Sequence, residues 1–192
     1  MNDIQFVEII EPLYEAMENG NEEACIGYLK KYPALLTKSL NSMDEKMIHL
    51  ACYYHLPRVL DYVIKQKVDV HEKSRQEKNA VFYADTELIM ENLHKAGISF
   101  NELNNLGHTP LIMSFFVNEY SKIKWLIKYG ADVNIQDKYK HTILDYIEDG
   151  HEDFDIHFLM TYYEQFSPEN QKKLKKIRLK QLVERGNFHV SL

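Results

Sequence analysis

The chain is poor in cysteine, has no long apolar run, and carries none of the common catalytic signatures. Each scarcity excludes something. Two cysteines, Cys25 and Cys52, both within segments that read as helix, cannot build the disulfide framework of a small secreted domain. Buried, reduced thiols of a cytosolic protein are expected instead. A bilayer-spanning helix needs about 20 apolar residues, and no such run exists, so no membrane contact is expected. The N-terminus has Asp3, Glu8 and Glu11 where a secretory leader is basic, which makes a cytoplasmic location the expectation. There is no glycine-rich phosphate loop, no HExxH and no CxxC, so neither a cofactor nor catalysis is expected. His151, Asp155 and His157 could be drawn as a metal site. Their spacing is loose and need not turn the three to one side, which leaves a metal-dependent enzyme as a remote alternative.

What is present is apolar material for one folded unit and a divided charge. Hydrophobic residues make up 45% of the 192 positions, normal for a globular chain of one domain, or for one solenoid with a tail. The net charge of −6 hides a split: residues 167–192 carry +5 and the rest −11. Within the tail, Ser167-Pro168 is a helix start, a capping hydroxyl before a proline at the first turn. Leu174, Ile177, Leu179 and Leu182 then make one apolar stripe on a basic helix that stops near Gly186. A cover for the end of the fold is one reading. A nucleic-acid contact through Lys172 to Lys180 is the other, opposed by the body's negative field.

The residues from Gly107 to Gln136 run GHTPL, an apolar helical stretch, then WLIKYGADVNIQ. Thr109-Pro110 opens a helix, and Gly130 ends the next one in left-handed geometry. Weaker copies start at Lys46-Met47-Ile48-His49, at Asn79-Ala80-Val81-Phe82 and at Lys140-His141-Thr142-Ile143. His49, Phe82, Ile112 and Asp145 stand 33, 30 and 33 residues apart. This closely resembles the ankyrin repeat, a turn, two antiparallel helices and an extended loop with a period of about 33. The resemblance implies an all-α ankyrin-type helical solenoid of about five repeats with a C-terminal capping helix. The units lie near 5–40, 41–73, 74–103, 104–136 and 137–165, the first starting divergently around Pro12, and 167–192 form the basic cap and tail. Outer helices are expected at Glu22–Lys31, Pro57–Gln66, Glu87–Lys95, Tyr120–Tyr129 and Phe154–Tyr163. Three residues are missing between Ala84 and Glu87, so the first helix of the third unit should be short and should notch the binding face. His49 falls on the family's buried histidine and Cys52 on its small buried position. Trp125 reads as core.

The resemblance further implies a protein that binds another protein, a monomer by preference, through finger loops and the exposed side of each first helix. By register these positions are Ser42, Met43, Tyr53 and Tyr54; Arg75, Gln76 and Lys78; Asn105, Leu106, His108, Phe116 and Val117; and Lys138, Tyr139, His141, Glu148 and Asp149. Among them Tyr53, Tyr54, Arg75, His108, Phe116 and Tyr139 are the candidate contacts, the aromatics because they bury much area at little entropic cost. Asp145, Glu148, Asp149, Glu152, Asp153 and Asp155 place six carboxylates in eleven residues with no Lys or Arg. Such crowding is costly unless offset, either by a basic partner steered onto Asp149, Glu152 and Asp153 or by the chain's own basic tail. A small acidic stack of this kind fits an inhibitor or immunity protein that neutralises a toxin or enzyme.

Overall fold

A computed structural model describes residues 3–150 and 156–184. Among these residues there is no strand, and the helices come in antiparallel pairs. Helices α1 (Asp3–Glu18) and α2 (Glu22–Lys31) form the first pair, and α3 (Met47–Tyr53) and α4 (Pro57–Lys65) the second. The third pair has a single 3-10 turn, Ala80–Tyr83, in place of an inner helix, followed by α5 (Glu87–Lys95). Then come α6 (Pro110–Phe116) with α7 (Tyr120–Lys128), and α8 (Ile143–Gly150) with α9 (His157–Met160). Helix α10 (Pro168–Glu184) closes the stack. Pro12 lies inside α1 instead of opening it. The last outer helix is shorter than expected and gives way to a 3-10 turn at Tyr163–Gln165; Phe154 and Asp155 fall outside the described residues.

The repeat is visible in backbone geometry as well as in helix order. Asp44, Glu77, Gly107 and Lys140 all have positive φ, between 57° and 78°. They recur at 33, 30 and 33 residues, the register read from His49, Phe82, Ile112 and Asp145. Each occupies the turn of a finger loop, where the chain folds back on itself: Ser74 N–H donates to Lys78 C=O, Asn104 to His108 and Asp137 to His141, at 2.9–3.0 Å. A second set of left-handed residues, Lys67, Gly97 and Gly130, ends α4, α5 and α7. Neighbouring fingers are stitched by backbone bonds, Arg75 N–H to Met43 C=O at 2.8 Å and Asn105 N–H to Gln76 C=O at 2.9 Å. At Gly107 the glycine is required twice over. Its φ is 78°, and a Cβ there would stand 2.9 Å from Cβ of Lys138.

Packing runs through the stack with no central core. The inner helices lie deep in the stack: α3 buries every residue from Met47 to Cys52, and α6 buries five of its seven. His49 is fully buried and neutral: Nδ1 accepts the Lys46 N–H and Nε2 donates to Glu72 C=O, both at 3.0 Å. Burial pushes its pKa down. Cys25 and Cys52 are free and fully buried, and burial raises both thiols, Cys25 to about 11. Trp125, expected in the core, is half-buried and packs against its edge.

Helix α10 docks where a further repeat would begin. Asn101 donates to Gly130 C=O and accepts Asp132 N–H. One period later Asn134 donates to Gln165 C=O at 2.8 Å and accepts Ser167 N–H at 2.7 Å. The buried face of α10 is Asn170, Leu174, Ile177 and Gln181. This corrects the expected stripe: Leu179 is 50% exposed, because positions 174, 177 and 181 share a face at helical spacing and 179 points away.

Candidate interaction surface

The missing residues of the third unit shape the inner face. With α3 and α6 a full helix each and only one 3-10 turn between them, the wall drops and leaves a cleft of about 640 Å³. Its sides are Tyr53, Tyr54 and His55 at the end of α3 and Met113, Ser114 and Val117 of α6. Phe82, Tyr83 and Asp85 form its floor, with Lys122 reaching in from α7. His55 Nδ1 meets Asp85 Oδ1 at 2.7 Å and so links the second and third units across the cleft. Tyr83 donates to Ser74 Oγ at 3.0 Å, and burial raises its pKa.

Lys122 is the unusual residue of the cleft. Its side chain is 6% exposed, yet Nζ donates to the Phe82 carbonyl at 2.8 Å and lies 3.3 Å from Glu119. Burial lowers its pKa, against the pull of Glu119. The bonded carbonyl belongs to the shortened turn, where no following helical turn supplies a donor. Sequence reading missed this lysine. The available signal was its phase, since Lys122 shares the buried face of α7 with Ile123, Leu126 and Ile127.

The six sequence-chosen contacts fall into two groups and a lone residue. Tyr53 is 58% exposed and meets Tyr54 edge-on at 5.0 Å. Tyr54 itself corrects the expectation: it is half-buried and packs on Tyr14, with ring centres 6.3 Å apart. The second group gathers round α6 and α8, where Phe116, 41% exposed, stacks on His108 at 5.0 Å and on Tyr146 at 4.7 Å. His108 also departs from expectation, because its side chain is only 13% exposed and faces Asp137. Burial and the nearby Lys138 hold its pKa down, opposing Asp137. Asp137 is buried and organises this corner, accepting N–H groups of Tyr139 and His141 and the Tyr146 hydroxyl. Tyr139 is 60% exposed at the finger tip. Arg75 stands alone, exposed on the finger before.

The acidic run is divided. Lys173 of α10 pairs with both Asp145 and Glu148 of α8, and Lys176 lies 2.8 Å from Glu148. Burial would raise Asp145, but Lys173 and the Thr142 groups hold it below the usual carboxylate range. For Glu148 the lysines dominate and lower it as well. These two carboxylates therefore serve the tail's docking. Asp149 lies in α8, but its side chain, with Glu152, Asp153 and Asp155, falls outside the described residues. His157 begins α9, whereas His151 is also outside them. Among the described residues no cluster of three or more His, Cys, Asp or Glu is placed to hold a metal, and no helix is long and apolar enough to cross a membrane.

Residues 48–137 match the family model of ankyrin repeats, in three copies. No curated protein matches the chain.

Proposed function

Because the chain belongs to the ankyrin-repeat family, whose repeats are generic protein–protein interaction modules, we propose that it binds a partner protein on its inner face. One observation carries the proposal: Tyr53, Phe116, Val117 and Tyr139 expose large apolar side chains on the inner helices and finger tips, beside a cleft left open among the described residues. Exposed aromatic anchors next to a concavity are the usual centre of a protein interface. The test is capture of a partner, followed by affinity measurements on single variants. Tyr53→Ala or Phe116→Ala should weaken binding by about 2 kcal/mol, while alteration of Lys30 on the outer face should leave it unchanged. The reverse pattern puts the interface on the outer helices and sinks the proposal.

In its finer form the partner is a toxin or enzyme and this protein its inhibitor. The cleft favours that form, because a concavity flanked by tyrosines suits a protruding loop of a target. The expectation of a basic partner has less support, since Asp145 and Glu148 are already neutralised by α10. The inhibitor reading requires that the captured partner's activity falls in stoichiometric mixture, with the Tyr53→Ala variant restoring it.

A further inference from the structure

The finger tips of the third and fifth units carry a charge opposite to that of the body, unlike the second unit's tip with Asp44 and Glu45. The tips of the third, fourth and fifth units present Arg75, Lys78, Lys138 and Lys140, and one carboxylate, Glu77. Among the described residues none of these four cations forms an ion pair. Lys78 and Lys138 lie only over tyrosine rings, at 6.0 and 5.1 Å. Elsewhere the lysines of this face are answered: Lys46 by Glu72, Lys73 by Glu102 and Lys122 by Glu119. These four therefore form an edge of unpaired cations on a body that carries −11 outside the tail. Apolar side chains stand at the same tips, Leu106 at 49% exposure and Tyr139 at 60%. The backbone beneath is held firm by the finger-to-finger bonds and by the contact of Lys138 on Gly107.

We propose that this edge receives an acidic protein surface, in which carboxylates alternate with apolar side chains. The inference rests on the protein-binding reading and specifies the partner's chemistry at the finger tips. Cations that pair with no carboxylate in the free protein keep their full attraction for an incoming one. A nucleic-acid backbone would satisfy the four charges and leave Leu106 and Tyr139 wet. It would also bring its phosphates against the acidic body, where duplex affinity depends on several neutralised phosphates. A protein strip of mixed carboxylates and apolar groups satisfies both parts of the edge.

The probe is a fluorescently labelled peptide of alternating glutamate and tryptophan, titrated with the full chain by anisotropy. A glutamine–tryptophan peptide, a lysine–tryptophan peptide and a single-stranded DNA oligonucleotide serve as comparisons. The acidic peptide should bind most tightly, its affinity falling as salt rises. In the Arg75→Glu, Lys138→Glu, Lys140→Glu triple variant its affinity should fall by about tenfold or more. The corresponding glutamine triple, a milder change at exposed positions, should lose affinity in the same direction with an unchanged melting curve. Preference for the neutral or basic peptide overturns the proposal. So does tighter binding of the oligonucleotide, which makes the edge a nucleic-acid contact. With a captured partner the two readings separate. Binding lost in Tyr53→Ala but unaltered in the triple variant keeps the inner-face interaction and removes the acidic strip.

Discussion

Replacing Lys122 tests how the stack tolerates its missing residues. The alanine variant removes the methylenes beyond Cβ from a site where the side chain is 6% exposed, a loss of roughly 2 kcal/mol at about 0.8 kcal/mol per buried methylene. It also orphans the Phe82 carbonyl, now bonded at 2.8 Å, for about 1–3 kcal/mol more. Less the regained hydration of the buried ammonium, Lys122→Ala should therefore cost about 3 kcal/mol. Lys122→Met keeps the stem and loses only the charged donor. It gains back the desolvation of the ammonium, and Glu119, 44% exposed, returns to water, so the net cost should be about 1 kcal/mol. At roughly 2–4 °C per kcal/mol for a chain of this size, alanine should lower the melting temperature by about 10 °C and methionine by a few degrees. Amide exchange should quicken first around Ala80–Ala84, the turn that the lysine secures.

Titration sharpens the test. The folded pKa of Lys122 lies below its ordinary 10.5, so in the window between the two the unfolded chain holds the extra proton and stability rises with pH. Tyrosines with raised pKa values act in the opposite sense, but they are common to wild type and Lys122→Met and cancel in the difference. The advantage of wild type over the methionine variant should therefore grow as pH rises through the depressed folded pKa towards 10.5. A methionine variant as stable as wild type, with a pH-independent difference, would refute the view that the Lys122 amine secures the shortened turn.

Three further outcomes follow from the same contacts. Deleting residues 167–192 should expose the apolar side of α8 and α9 and abolish cooperative melting or solubility; a soluble truncation with an unchanged melt makes the tail a functional arm. Asp145 and Glu148 have folded pKa values below 3.8 and 4.5. Their contribution to stability is complete above those values and lost as pH falls through the depressed folded ones. Lys173→Ala should therefore flatten the acid limb of the stability curve, read as urea midpoint against pH. Gly107→Ala should cost about 1–2 kcal/mol in denaturant melts through its positive φ and the contact with Lys138, whereas the same change at the open helical Gly27 should be neutral or stabilising.

The repeat was legible because its signals are local. Thr109-Pro110, Gly130 and the phase of His49, Phe82 and Ile112 each reflect a backbone requirement inside one unit, and the left-handed residues at 44, 77, 107 and 140 keep the same register. Exposure of single aromatics was less legible. Tyr53 and Tyr54 are neighbours on one helix end, and only packing against Tyr14, forty residues earlier, turns one of them inward. His108 was misjudged for the same reason, since Asp137 and Tyr146 that enclose it come from the next unit. Charge was legible in total and partly in pairing: the basic tail was one of the two expected counters to the acidic run, and with α10 in place Lys173 links it to Asp145 and Glu148.

The third unit shows where such reading stops. A spacing of 30 in place of 33 announces a shortened helix, and a lowered wall follows from it. What secures the shortened turn is a lysine from the next unit, forty residues after the carbonyl it binds. A repeat's pattern is written within each unit, but the repair of a defect can come from any residue that reaches it. In this stack the residue that does so also lines the cleft. Stability and the shape of the inner face are therefore set at one point. A partner that fills the cleft would cover the Lys122–Phe82 bond from water and so raise the stability of the third unit. The same hydrogen-exchange measurement that tests Lys122→Ala should then show slower exchange at Ala80–Ala84 when the partner binds. Unaltered exchange there, with protection confined to the finger tips, would place the partner on the fingers alone.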